Sequence, residues 1–462
     1  MSPPLTAAIP PDSERPGSYS RLHPLTPLLR GWAFLVAGAI AVGQQLFRGD
    51  LDVLELAVTG VAVMAFGVAA GAVSWWFTRF VITAEELRVE SGVFVRRSRR
   101  IPIERLQAVD VVQPLAGRML GLAEVRLEVA GGSGTESALA YLPLAEAHQV
   151  RRTLLAGAAG RRDEPGEARD EPPTGAELVV RVSPGLLLTG LLLSSRFLSA
   201  VLGFAALAGV LALADQPVGA PLLLAEIGAV GALVLRTFLA EYGFTLTEAA
   251  GGLRIRRGLL DVRFSTVLPG RVQGIVVRAP LLWRPRGWVR VEVDVAGYAG
   301  GSDDSTGESA STLLPISSGE LADVVTRRVL PGVAVGEVPL VPVPARARWV
   351  APFAWRFLAV GSDESAVVTR SGWLDRRTDV VPLAKIQSVR IRQGPLQRRL
   401  ALADVLVDSP PGPLDATAKH RPSHEARALA LILLHRARLA RRADEEAAAP
   451  SGRVRGVSTP RL

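Results

Sequence analysis

The residues that could do chemistry are sparse, and their spacing argues against each reaction in turn. Five histidines stand at His23, His148, His420, His424 and His435. His420 and His424 are four apart, a spacing that puts two imidazoles on one helix face as metal ligands. Pro422 falls between them, however, and no acid or third ligand is placed to complete the set. Gly131-Gly132-Ser133-Gly134 is glycine-rich but lacks the lysine and following helix of a phosphate-binding loop, so it reads as a hairpin loop. Asp303-Asp304 with Glu308 is an acidic loop short of the ligand set that calcium needs. The chain has no cysteine, which removes disulfides, thiolate nucleophiles and cysteine zinc sites together. We therefore expect no enzyme, no cofactor and no metal site.

What remains is binding chemistry, and it belongs to arginine. The formal net charge is +9, and only Lys385 and Lys419 are lysines. Coding bias is one source of such an excess. Attraction to anionic phospholipid is another, worth roughly 1 kcal/mol for each basic residue near the surface. No nucleic-acid motif accompanies the arginines and they flank apolar spans, so no nucleic-acid partner is expected. Arg96, Arg97, Arg99 and Arg100 crowd one predicted strand shortly after an apolar span. Arg346, Arg348 and Trp349 form a basic–aromatic cluster further on, echoed by Arg376-Arg377 and Arg398-Arg399. We take these as candidate contacts with a membrane or a partner; a merely solvated face is the competing reading.

The elements that would position them begin with apolar spans. Apolar residues make up 48% of the chain and are bunched. Four stretches, about 28–47, 53–77, 197–214 and 222–240, meet the roughly 20 residues needed to cross a bilayer. The run from Gly185 to Ala214 would make about 45 Å of helix at 1.5 Å per residue, too long for one span. Ser194-Ser195-Arg196 interrupts it, so Gly185–Leu193 is expected to be interfacial and Phe197–Ala214 to be the span. The turns Arg48–Asp52 and Asp215–Gly219 carry acid, whereas the opposite ends carry Arg21, Arg30, Arg79, Arg88, Arg181 and Arg196. Positive charge stays inside, which puts both termini and all large loops in the cytoplasm.

Outside the spans the text repeats three times. Gly92, Gly258 and Gly372 each precede a glutamine, Gln107, Gln273 and Gln387, by fifteen residues. A basic residue stands two before each glutamine, and Pro114, Pro280 and Pro395 follow it at seven, seven and eight, each then followed by leucine. Alternation such as Leu87/Val89, Val125/Leu127/Val129 and Val289/Val291/Val293 has the period of strands. Each glycine sits where a hairpin turn belongs. Each copy closes in a helical pattern: Leu144 to Leu155 with Ala147, Val150 and Leu154 on one face; a helix capped by Ser317 or Ser318; and Ser423 to Leu439 with Ala426, Leu429 and Leu433 on one face. The repeated glutamines read as structural, satisfying backbone groups at a barrel rim.

With Arg21-Leu22-His23-Pro24-Leu25 before the first span, and the block Gly372-Trp373-Leu374 through Val381–Val389 to Gly394–Arg398, the chain resembles the bacterial pleckstrin-homology-like membrane proteins, in particular the YdbT-like members. That resemblance implies bent antiparallel barrels or sandwiches, each capped by a C-terminal helix and facing the cytoplasm. It does not carry phosphoinositide binding with it.

The expected organisation is a multi-domain membrane protein: two α-helical transmembrane hairpins plus three β-rich PH-like domains. Its segments are an N-terminal stretch (1–27), hairpin 1 (28–78), domain 1 (79–157), a linker (158–182), an interfacial segment with hairpin 2 (183–241), domain 2 (242–331), a linker (332–349), domain 3 (350–441) and a disordered tail (442–462). The expected function is a non-enzymatic scaffold in the cell membrane that contacts anionic phospholipid and partner proteins, such as a smaller PH-like membrane protein or a second copy. The alternative is a subunit of a transport or lipid-handling complex. A reporter fused after Arg442, or inserted between Gly160 and Pro173, should be shielded from membrane-impermeant reagents in intact cells; labelling from outside would refute the orientation.

Overall fold

The structure, a computed structural model of the chain, describes residues 20–21, scattered positions between 60 and 77, and then 79–83, 85–91, 97–103, 106–129, 137–158, 177–214, 219–249, 252–267, 269–295, 312–333, 336–410 and 412–448. The first two expected spans lie almost wholly outside these residues, as do Gly92, Arg96, the 131–134 loop and the acidic loop at 303–308. The chain divides into two compact units, residues 1–170 and 171–462.

The first unit holds an antiparallel sheet of β1 (Ser20–Arg21), β2 (Arg79–Ile82), β3 (Glu86–Ser91) and β4 (Arg97–Pro102). A second ladder follows, formed by β5 (Leu106–Gln113), β6 (Leu122–Val129) and β7 (Ser137–Pro143), with the short helix α1 (Leu115–Met119) between the first two. Helix α2 (Leu144–Ala158) closes the set. It buries Ala147, Val150 and Leu154, the expected face, in a core that includes Leu87, Ile101, Leu106 and Leu127.

The second unit repeats this order twice. Strand β8 (Glu177–Arg181) is followed by helices α3 (Pro184–Leu192), α4 (Ser195–Ala214) and α5 (Gly219–Glu241). The chain then returns as β9 (Thr245–Ala249), β10 (Gly252–Arg257) and β11 (Val262–Val267), antiparallel in the order β8-β9-β10-β11. Strands β12 (Val272–Pro280), β13 (Trp288–Val295) and β14 (Thr312–Ser318) form the partner ladder. Helix α6 (Gly319–Val329) closes it, with the Ser318 hydroxyl accepting from the Leu321 N–H as N-cap. The last set is β15 (Val341–Pro342), β16 (Ala359–Ser362), β17 (Ala366–Ser371) and β18 (Asp375–Pro382), then β19 (Ser388–Arg392), α7 (Pro395–Arg399), β20 (Leu402–Asp408), β21 (Thr417–Pro422) and α8 (Ser423–Ala448). Helix α8 seats Ala426, Ala430, Leu433 and Ala437 against Val367, Val381, Ile386 and Val405, with Leu429 at the margin.

Two boundaries differ from the sequence expectation. The 158–182 linker contains β8, and the 332–349 linker contains β15 and a 3-10 turn at Ala345–Trp349. The reason is physical: β8 and β15 are short edge strands, and Leu178 and Val341 are exposed, so no burial alternation marks them. The broken third stretch is as expected, with helix ending at Leu192 and resuming at Ser195. Two helices, not four, are long and apolar enough among the described residues to cross a membrane, over Ser195–Leu213 and Leu222–Glu241.

Consecutive sets in the second unit share main-chain hydrogen bonds. Strand β12 pairs with β13 on one side and with β18 on the other, from Ile275↔Val380 to Pro280↔Asp375. Gly274 permits the approach, since a Cβ there would lie 2.5 Å from the Val380 carbonyl oxygen. Beside this seam, Asp294 is 1% exposed, and burial pushes its carboxyl up to about 7. The folded pKa exceeds the unfolded value of about 3.9, so the stability it contributes is complete below pH ~4 and is lost as pH rises through 7. Asp294→Asn should therefore raise the melting temperature at pH 8, reflecting a stability gain bounded at about 4 kcal/mol, taking about 1.4 kcal/mol per pKa unit. The gain should shrink to nothing by pH 4 in melts of the detergent-solubilised chain.

Candidate membrane-proximal site

The apolar helices are fastened to the sheets by specific polar contacts. Ser183 caps α3 by accepting from the Leu186 N–H at 3.3 Å. The buried Trp283 Nε1–H donates to the Gly190 carbonyl at 3.0 Å and so pins α3 to the second set. The Ser195 hydroxyl, at the first residue of α4, donates to the Leu374 carbonyl at 3.2 Å. At the same end of the helical pair, a chain of charges begins at Glu241, the last residue of α5.

That chain is continuous. Arg290 Nη2 meets Glu241 at 2.5 Å and Thr312 Oγ1 at 2.7 Å, while its Nε meets Glu292 at 3.2 Å. Glu292 also accepts from Arg278 at 3.1 Å, and Arg278 reaches Asp375 at 3.4 Å. Glu241 and Glu292 are both buried, so their charges are tolerable only with these partners. Residues from α5, β12, β13, β14 and β18 thus lock the helix end to two successive sets.

The repeated glycine turn lies at this same end. Gly258 and Gly372 both have positive φ, at +103° and +82°, a conformation that favours glycine. The N–H groups of Gly258 and Leu259 donate to the Tyr242 and Leu239 carbonyls beside the end of α5. The Gly372 turn supplies Leu374, the residue that Ser195 contacts. Around that turn stand Arg284, Arg370 and Arg376. Burial, then the neighbouring Arg376 charge, lowers the pKa of both Arg284 and Arg370. Clustered cations in mutual repulsion are the electrostatic complement of an anion. Arg284 is held by the Ala279 and Trp373 carbonyls at 3.1 and 2.6 Å, and Trp373 is exposed.

The fold explains the basic–aromatic cluster at 346–349. In the second set, the helical pair is inserted between the first two strands, β8 and β9. In the third set, the same position between β15 and β16 holds only 3-10 turns at Ala345–Trp349 and Trp355–Phe357. Val343, Ala347 and Leu358 pack on Leu402, which leaves Trp349 66% and Phe353 80% exposed. Arg348 and Arg356 lie 5.4 Å from the ring centres of Trp349 and Trp355. Arg346 reaches the Ala401 carbonyl at 3.4 Å, just after α7. That helix exposes Leu396, Arg398 and Arg399. The leucine after the repeat proline is exposed in every copy, at Leu115, Leu281 and Leu396.

Several predicted residues lie elsewhere. Arg377 is committed internally: it forks onto Asp379 at 2.7–3.0 Å and donates to the Pro413 carbonyl, so it serves the seam rather than a surface. Gln387 is exposed and engages through its backbone, its N–H donating to the Asp408 carbonyl, rather than by filling a barrel rim. Gln273 is half-buried on β12, and Gln107 lies on β5. Arg97, Arg99 and Arg100 lie on β4, with Arg100 exposed. Pro114 precedes α1, Pro280 ends β12 and Pro395 opens α7. His420 joins a polar hub with the buried Gln397, whose Nε2 meets Asp404 at 2.7 Å and His420 Nδ1 at 2.9 Å. Burial would raise the Asp404 pKa, but hydrogen bonds from His420 and Gln397 outweigh it and hold the carboxyl below its ordinary value. Among the described residues no group of three or more His, Asp or Glu is placed to hold a metal.

Two cavities open where the helices meet the sheets. One of about 80 Å³ is bounded by Arg196, Phe197, Trp283 and the Glu241–Asp375 charge chain. The other, about 390 Å³, is lined by Arg196, Arg236, Arg257 and Arg263 together with Leu233 and Leu235.

The chain matches the family model described as "Bacterial PH domain" twice, over residues 33–158 and 320–437, together just over half of its length. It is similar to the "UPF0699 transmembrane protein YdbT" of Bacillus subtilis (strain 168), at 30% identity over 97 residues. That match spans 21% of this chain and 20% of the relative. No solved structure matches significantly.

Replacing Arg290 by methionine would strand the buried Glu241 and leave Glu292 with Arg278 alone. Removing one member of a buried pair costs on the order of 3–5 kcal/mol. Thermal unfolding in detergent should show a large loss for Arg290→Met and a smaller one for Arg290→Lys; an unchanged melt would mean the charge chain bears no stress.

Proposed function

Because this chain belongs to the bacterial PH domain family, we propose that it is a membrane-anchored, non-enzymatic scaffold. Its PH-like modules contact anionic headgroups along one edge and hold partner proteins along the others. Four spans in two hairpins anchor it in the cell membrane, with both termini in the cytoplasm. Partners include a smaller PH-like membrane protein or a second copy, and not nucleic acid.

One observation carries this reading: the basic–aromatic rim shares an end with the apolar helices. Ser195 begins a span-length helix and touches the turn that bears Trp373 and Arg376. In the third set, the Trp349–Phe353 segment stands where the second set has its helical hairpin. An exposed ring pair flanked by arginine suits the headgroup layer, where aromatic bodies and cations are both favoured. A second reading, a lipid-handling subunit, draws support from the 390 Å³ cavity, which joins arginines to leucines as a phospholipid would require.

The absence of cysteine makes the first reading easy to test, since one introduced thiol takes one dye. An environment-sensitive dye on Phe353→Cys should shift to the blue in nanodiscs containing phosphatidylglycerol. The shift should shrink with added salt and in the Arg370→Gln/Arg376→Gln variant. At roughly 1 kcal/mol per arginine, that variant should lose about thirtyfold in affinity for short-chain phosphatidylglycerol in detergent. Emission matching that of a dye at Leu431, on the exposed face of α8, would refute membrane contact by this segment.

A further inference from the structure

The seam between β12 and β18 shows how one PH-like module receives the next. The first strand of a three-stranded ladder offers its free edge, and the last strand of the following four-stranded sheet fills it. Strand β19 occupies the β12 position in the last module. The repeat registers them, with Gln387 matching Gln273, so Val389, Arg390, Ile391 and Arg392 correspond to Ile275, Val276, Val277 and Arg278. Among the described residues β19 pairs only with β20, and its other edge is open. Burial agrees: Ile275 and Val276 are fully buried, whereas Arg390, Ile391 and Arg392 are exposed.

Charge selects the occupant. Where β12 has Val276, β19 has Arg390, and Arg392 follows two residues on. In the seam, Val276 faces Asp379 and Arg278 faces Arg377. A second copy of this chain would bring β4, the counterpart of β18 when Gly92 is matched to Gly372. It would set Arg99 opposite Arg390 and Arg97 opposite Arg392. Like charges directly opposite one another in a ladder are destabilising. The seam tolerates Arg278 opposite Arg377 because β18 also brings Asp375 and Asp379 to pair with them, whereas β4 carries no acid. A basic edge therefore rejects a second copy and accepts an acidic strand.

We infer that β19 is a docking edge for the terminal sheet strand of a PH-type module on a different polypeptide, one that carries Asp or Glu opposite Arg390 and Arg392. This rests on the scaffold reading and specifies its partner surface. Main-chain pairing would supply affinity and the two arginines selectivity, as in other strand-addition complexes.

The test uses the full-length chain in membranes of its native cells, with a photo-crosslinking residue at position 391. The expected adduct joins residue 391 to an extended segment of another protein, with an acidic residue within two positions of the crosslink. It should fall at least tenfold in Arg390→Glu/Arg392→Glu and persist in Arg390→Lys/Arg392→Lys. The melting temperature should hold in both, because the two arginines are themselves exposed, Arg390 pairing with the half-buried Asp408 at 2.6 Å and Arg392 standing 3.8 Å from the buried Asp404, which His420 and Gln397 already hold. An adduct to residues 97–102 of a second copy would overturn the inference in favour of self-assembly. An adduct yield no higher than that from a probe at Leu431 would overturn it too, leaving the arginines as guards against edge-to-edge aggregation. Headgroup binding, read separately with phosphatidylglycerol, should survive in Arg390→Glu/Arg392→Glu, so the two proposals fail independently.

Discussion

Neighbouring antiparallel strands lie about 4.8 Å apart, and whatever is inserted between them must leave and return at nearly one point. Arg21 is paired with Arg79, and Arg181 with Thr245. The intervening segments, 22–78 and 182–244, therefore begin and end beside one sheet edge. A segment under that constraint that enters a bilayer must cross it an even number of times. The pairing of α4 with α5 meets the requirement within one turn. Sheet geometry thus returns any such segment to the side of the bilayer that it left.

The same constraint explains why one end of each module is chemically distinct. An insertion between the first and second strands projects from the end where the glycine turn lies. In the second set that insertion is helical and apolar; in the third it is short, aromatic and basic. A module that lacks its own span can therefore still present rings and guanidinium groups at the level where its neighbour's helices begin. The Glu241–Arg290–Glu292–Arg278–Asp375 chain fixes that level, because each link has few alternatives in a buried setting. Such a network contributes registry more than net stability.

Much of this was legible in the residues. The glycine-to-glutamine spacing marked the hairpins, and Ser194-Ser195-Arg196 marked the break between α3 and α4. Ser318 and the Ala426/Leu433 face located two closing helices. Strands β1, β8 and β15 were not legible. Two of them lie about sixty residues from the strands they pair with, and β1 and β15 are two residues long. Periodicity needs a longer run than that. At the site, the Arg346–Trp349 cluster could be read directly, but Phe353 and Arg370 became visible only once folding exposed the first and brought the second beside Arg376. Arg377 misled because sequence shows a charge and not its partner. Asp379, two residues on, shares its strand face, and that i, i+2 relation was the available signal.

Main-chain pairing of β12 with β18 also sets how rigidly the second and third sets are joined. Six consecutive residue pairs, sealed by Gly274 and by Arg377 on Asp379 and Pro413, leave the second and third sets no hinge. Modules joined by a flexible linker would sample many orientations and lose binding free energy to ordering each time two of them engaged a target together. A continuous sheet carries no such penalty. The Gly372 turn and the Trp349–Phe353 segment are held in fixed relation to α4 and α5, and β19 is held in fixed relation to both. A partner docking on that edge would meet the membrane at a predetermined angle, which is the mechanical advantage of building a scaffold from shared strands rather than from linked domains.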